Sequence, residues 1–324
     1  MQNFSNKFFE QQIRIFLGRE TIVALIALFV SRIFLSITPI LIKLSDDSLG
    51  PNLTLFWREA IAFVGFGLIE TIFFLRDRFR DRSPSNSNTI QYTRRTFGFL
   101  FGIGITATIY MLFWVWALNL TSVTNSTIIS AALPLFTILG GWLFFGQFFD
   151  FRFLIGALLT IAGALTIGLN DVHQSSGKLY GDIAALLSAV FYALYWLLVE
   201  KVREELNTTI ILLWRCGLGT IFLMPIVFLS PGNCLPNSWQ EWVLVIGIAF
   251  LGQVIAQGLT VFSLKKLSAG LVAVSMLLVP ILSHIEAEFL FGETVNLTNY
   301  LGFFIILIGI YFSLSGKGGI KESS

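Results

Sequence analysis

The side chains that could do chemistry in this chain sit inside long apolar runs. His284 and Glu288 stand four residues apart in VPILSHIEAEFLFGE, so a helix would set both on one face, four and eight residues after Pro280, with Glu286 turned elsewhere. A histidine and a carboxylate within reach of each other suit proton coupling or contact with a solute; a mutually satisfied pair near an interface is the plainer reading. Arg58 and Arg215 each lie about six residues, or roughly 9 Å, into an apolar run. They could hold packing at two gates or attract an anionic group, or they could snorkel to lipid headgroups. Gln253 and Gln257 share a face of an otherwise uncharged segment, where an amide needs a partner, either a neighbouring helix or a cavity. Asn125 and Ser126 are similar candidates. Tyr110 and Trp114, with Tyr192, Tyr195 and Trp196, could form an aromatic cavity wall, although 15% of the chain is aromatic. Pro134 and Pro280 each fall near the middle of an apolar segment, remove a backbone donor and free a carbonyl, so they suit hinges or cavity lining.

Other chemistries find no support. There is no GxxxxGK[ST] run, no HExxH and no CxxC, and His173 is the only other histidine. An intramembrane enzyme would have to rely on His284 with Glu286 and Glu288, and one histidine is too few for an ordinary zinc site. Cys216 and Cys234 read as structural. No catalytic residue, metal or cofactor is assigned, and the chain is read as no enzyme.

These residues must be positioned by helices in lipid. Of 324 residues, 55% are hydrophobic and 12% charged, and the mean hydropathy is +0.80. From Thr96 to Phe149 there is no charged residue or histidine, too long a run for one crossing. Apolar segments of helix length fall at 21–43, 53–75, 97–117, 123–145, 153–169, 179–200, 209–230, 242–264, 270–291 and 298–315. They lack alternation and are too long for barrel strands, which predicts an all-α polytopic membrane protein of ten transmembrane helices. Residues 1–20 are polar and no A-x-A site follows the first apolar run, so that run is expected to stay as a helix. With the N-terminus in the cytoplasm, sixteen Lys and Arg lie inside and two, Lys43 and Lys178, outside. Both termini are therefore expected in the cytoplasm, in the plasma membrane or a bacterial inner membrane. The six arginines between Arg76 and Arg95 belong to that topology signal rather than to a nucleic-acid site. Gly98-x-x-x-Gly102 predicts close helix packing; a homodimer stays open.

The chain repeats itself. Pro134 is followed thirteen residues later by Gln147, and Pro280 thirteen later by Glu293. Gly146, Gly156 and Gly163 match Gly292, Gly302 and Gly309 at the same offset of 146, and LFWR ending at Arg58 matches LLWR ending at Arg215 at an offset of 157. The organisation read from this is a cytoplasmic segment 1–20, a first repeat 21–170, a second repeat 171–315 and a cytoplasmic tail 316–324. Five is odd, so the second copy would run through the membrane inverted, which provides two near-equivalent shapes for alternating access.

These landmarks resemble the EamA-type transporters of the drug/metabolite transporter superfamily. Each half of that family carries a small-residue-rich helix with a mid-helix proline, a Gly-Glu at its exit and a Gly-x(6)-Gly closing helix. Here the positions read Ala132, Pro134, Gly146, Gln147, Gly156 and Gly163, then Ala273, Pro280, Gly292, Glu293, Gly302 and Gly309. Gln147 departs from the usual glutamate, which keeps hydrogen bonding and loses charge. The resemblance implies a central cavity between the halves and movement, mostly export, of a small metabolite, amino acid or drug-like solute. A passive channel and an intramembrane enzyme are the alternatives.

Overall fold

The computed structural model describes residues 18–45, 50–79, 93–121, 126, 129–170, 179–229, 234–291 and 297–321. Among them the chain is helical, apart from turns and one isolated bridge between Leu267 and Ile320. The helices are α1 (Arg19–Ser45), α2 (Pro51–Phe79), α3 (Arg94–Leu120), α4 (Leu133–Phe145), α5 (Phe151–Asn170), α6 (Leu179–Val202), α7 (Thr208–Leu229), α8 (Trp239–Ser263), α9 (Ala269–Met276), α10 (Val279–Phe291) and α11 (Leu297–Ser315). Among the described residues, six stretches are long and apolar enough to cross a membrane: α1, α3, α6, α7, α8, and α9 with α10 taken together. Apolar stretches of α4, α5 and α11 are shorter, and α2 carries Arg58, Glu59, Glu70 and Arg76 along its 29 residues.

Local chemistry sets the helix ends. Thr93, Ser238 and Ser268 each accept a hydrogen bond from a backbone N–H three residues on, the N-cap that such hydroxyls supply. Gly146 ends α4 at φ 61°, a left-handed conformation that glycine adopts without strain. In the segment expected to run as a helix from 123, Ser126, Ile129 and Ser130 are helical, and a turn at Ala131 and Ala132 then precedes α4. Pro134 thus stands in the first turn of α4, where a missing N–H costs no helical bond. The second copy does the same: a turn at Leu277 and Leu278 separates α9 from α10, and Pro280 is the second residue of α10. Both prolines follow a break in their segment. Within α8, Ile248–Gln257 winds as a π-helix, a rare form frequent at functional sites.

The packing between the two halves is reciprocal. Matching α1 to α6, α2 to α7, α3 to α8, α4 to α9 and α10, and α5 to α11, each main contact has its counterpart. Thus α3 packs on α6 as α8 packs on α1, α3 on α7 as α8 on α2, and α4 on α6 as α10 on α1; α2 meets α7, and α5 meets α11. The repeated glycines show this at atomic scale. A Cβ on Gly309 would lie 2.6 Å from the Gly156 carbonyl oxygen, and one on Gly156 would lie 2.5 Å from that of Gly309. A Cβ on Gly163 would lie 2.8 Å from the Gly302 oxygen. The pairs 156 with 309 and 163 with 302 run in opposite directions, so α5 and α11 are antiparallel, and the small residues let their backbones touch.

Candidate functional site

A buried polar cluster forms where α2, α7 and the π-helix of α8 meet. Arg215 Nη1 donates to Glu59 Oε2 at 3.0 Å and to Gln253 Oε1 at 2.8 Å, while Gln253 Nε2 donates to Glu59 Oε1 at 2.8 Å. The three side chains close a ring, and Arg215 and Glu59 are each 1% exposed. Arg58 Nη2 lies 3.9 Å from Glu59 Oε1 and 3.5 Å from Met111 Sδ, and Arg215 Nη2 lies 4.0 Å from the same sulfur. The two arginines, one from each half, therefore converge on one methionine. Their Cα atoms enter from opposite ends, but each side chain is long enough to reach inward to the middle of the bundle. Glu59, which adjoins Arg58, takes its short contact from Arg215 in the other half.

Next to this ring the aromatic residues stack. Tyr110 lies over Tyr192 with ring centroids 4.3 Å apart, Tyr195 and Trp196 are 4.8 Å apart, and the Arg215 guanidinium sits 5.7 Å from the centre of the Tyr195 ring. Trp196 and Tyr195 are fully buried. Trp114 packs against a smaller cluster that contains Leu55, Met111 and Leu223. Among the described residues, the side-chain carbonyl oxygen of Gln257, buried at the end of the π-helix, and the hydroxyl of buried Ser126 have no hydrogen-bond partner. Asn125 lies outside the described residues.

Beyond the aromatic layer is a third arginine. Arg32, on α1, is 0% exposed. Its Nε donates to Ser275 Oγ at 3.1 Å and its Nη1 to Met276 Sδ at 3.1 Å, and the Tyr192 hydroxyl reaches the same sulfur at 3.8 Å. One turn further along α1, Ser36 donates to Glu286 Oε1 at 2.7 Å. Sequence reasoning gave Arg32 no role and turned Glu286 away from its neighbours. The available signal was an arginine thirteen residues into a 27-residue apolar helix, roughly 20 Å from either end.

His284 and Glu288 do not bond to each other. His284 Nδ1 lies 2.7 Å from the Pro280 carbonyl oxygen and the ring is exposed; Glu288 Oε2 accepts from the Tyr300 hydroxyl at 3.3 Å. At the end of the bundle where α4 finishes, Gln147 Nε2 donates to Glu200 Oε2 at 2.9 Å, and the same oxygen accepts the Ala269 N–H at 2.9 Å. Lys321 Nζ pairs with Glu200 Oε1 at 3.1 Å, and its backbone N–H donates to the Lys266 carbonyl, so the segment after α11 is strapped across this end. A cavity of about 820 Å³ opens there between Arg95, Gln147, Glu200 and Lys321; none of Arg32, Arg215 or the stacked tyrosines lines it.

A helical bundle made of two copies, with exposed apolar faces outside and Arg32 and Arg215 buried inside, defines a multi-pass membrane protein. The EamA-like transporter family model matches residues 22–169 and 179–315, and the chain belongs to that family. An uncharacterized transporter of Archaeoglobus fulgidus is 26% identical over 209 residues, 64% of this chain and 72% of that protein. One of Haemophilus influenzae is 25% identical over 238 residues, 68% of this chain and 75% of its own. A crystal structure described simply as that of a protein shares the fold, with a TM-score of 0.72 at 16% identity over 90% of this chain and 96% of the other.

Proposed function

We propose that the chain is a secondary carrier that crosses the plasma membrane ten times and moves a small organic metabolite, amino acid or drug-like solute, in the outward direction, by alternating access. The observation that carries this is the reciprocal packing of the halves about α5 and α11, with α2 against α7. An inverted repeat gives one structure two near-equivalent shapes, one open to each side. The halves rock about a site between them, and the chain breaks before Pro134 and Pro280 supply the bending points. The excess of Lys and Arg in the N-terminal segment and alternate loops supports cytoplasmic termini. The strap around Glu200 and Lys321 then lies at the cytoplasmic mouth, and its release accompanies inward opening.

Counterflow tests this reading. Proteoliposomes of the purified protein, preloaded with unlabelled amino acids, organic acids or nucleosides in turn, take up trace labelled solute faster than empty ones if the protein is a carrier. Equilibration that is protein-dependent but indifferent to the trans solute would make it a channel.

A further inference from the structure

We propose that Arg32 is the anion-binding residue of the transported solute and that this solute carries a carboxylate, an inference that rests on the carrier reading above. Arg32 lies at the middle of α1, fully buried. Its guanidinium has five N–H donors and no acceptor function. Its partners are a serine hydroxyl and a thioether, and Nη2 has no hydrogen-bond partner among the described residues. Arg215 shows what a satisfied guanidinium looks like in the same bundle: a carboxylate and an amide at 3.0 and 2.8 Å. A cation at mid-helix without a counter-charge is strongly disfavoured, and intramembrane arginines mark solute pathways when they persist.

The surroundings define the missing partner. Arg32 Nη1 and the Tyr192 hydroxyl both reach Met276 Sδ, so two strong donors converge on a weak acceptor, where a carboxylate oxygen is the better fit. One guanidinium and the stacked faces of Tyr192 and Tyr110 match a planar monoanion with an apolar body. A phosphate dianion would call for a second cation, and Arg215 is held on the far side of the tyrosines by Glu59. Glu286 of α10 gives Oε1 to Ser36, one turn along α1 from Arg32, and its Oε2 has no hydrogen-bond partner among the described residues. Pro280 cannot donate to the Met276 carbonyl, so the break between α9 and α10 stands beside the proposed anion and couples its binding to bending.

The repeat separates function from folding here. Helices α1 and α6 end at Ser45 and Val202, the 157-residue offset of the two arginine motifs. At that offset Arg32 and Ser36 fall on Ala189 and Ala193, and at the offset of 146 Glu286 falls on Gly140. The other copy builds the same stretch of fold with small apolar residues, so this polar set is not needed to make the bundle.

The test is direct binding by the purified full-length protein in phosphatidylcholine nanodiscs, read as thermal unfolding. The probes are hippurate, a carboxylate beside one aromatic ring, and its uncharged amide at matched ionic strength. Hippurate at about 100-fold above its Kd should raise Tm by about 5 °C, and the amide should not. Arg32→Gln should lose the shift, and Arg152→Gln, at an exposed arginine, should keep it. Met276→Glu places a carboxylate against Arg32; it should raise the basal Tm and abolish the hippurate shift, a readout that stands even if Arg32→Gln does not fold. Equal shifts with acid and amide, or a shift retained in Arg32→Gln or Met276→Glu, overturn the proposal. So does a stabilisation by phosphatidylglycerol without hippurate that disappears in Arg32→Gln, which would give Arg32 to a lipid phosphate. An Arg32-dependent shift with no hippurate counterflow would keep the site and sink the carrier reading. Counterflow of neutral solutes with no hippurate shift would do the reverse.

Discussion

Glu59→Gln removes the carboxylate of the ring formed with Arg215 and Gln253 and keeps its shape. Both charged partners are 1% exposed, so the Arg215 guanidinium would stay buried beside Arg58 with no counter-ion. Breaking a buried pair at one side costs about 3–5 kcal/mol, which at about 2–4 °C per kcal/mol lowers Tm by about 10 °C. Glu59→Leu with Arg215→Met removes both charges and leaves an apolar contact. What remains is Gln253, which loses both partners and costs about 1–3 kcal/mol as an unsatisfied buried amide. The double variant is therefore expected above the single one in stability, and adding Gln253→Leu should recover most of the rest. Tryptophan fluorescence during heating in phosphatidylcholine nanodiscs reads each variant. A neutral Glu59→Gln, or a double variant that loses the sum of the two single losses, would refute the reasoning, because independent sites add and coupled ones do not.

Three further outcomes are expected. Gly309→Ala puts a Cβ 2.6 Å from the Gly156 carbonyl and should cost about 1–3 kcal/mol by overpacking α5 against α11, seen as a lower Tm, whereas Gly98→Ala, with open space around it inside α3, should leave Tm unchanged or raise it, by up to about 1 kcal/mol of helix propensity. If His284 and Glu288 couple protons to transport, an imposed pH gradient should drive flux that His284→Ala and Glu288→Gln each abolish; unchanged flux in vesicles removes them from coupling. Lys321→Ala should loosen the strap over Glu200 and speed backbone hydrogen exchange at Ser268 and Lys321, whose N–H groups donate to Gly319 and Lys266, with a stability change below about 1 kcal/mol.

Much of this protein could be read along the chain. The length of its apolar runs and their lack of charge require helices in lipid, since no other segment of that length satisfies its own backbone there. The offsets of 146 and 157 reveal two copies, because a duplicated fold keeps its glycines and prolines where close packing and breaks require them. Spacing also selected Arg58, Arg215 and Gln253, though without partners. What spacing did not supply was who meets whom. Glu59 and Arg215 are 156 residues apart and Arg32 and Ser275 are 243 apart. Only the antiparallel seating of one half on the other decides that one arginine receives a carboxylate and the other a thioether. Helical periodicity set Glu286 apart from His284 and Glu288, and α10 keeps that phase, but it did not say which face meets α1: Glu286 takes the Ser36 hydroxyl while His284 is exposed. Membrane class and repeat are properties of composition and linear order. The pairing of buried charges depends on the rotation of each helix about its axis, and that is set by packing across the whole bundle.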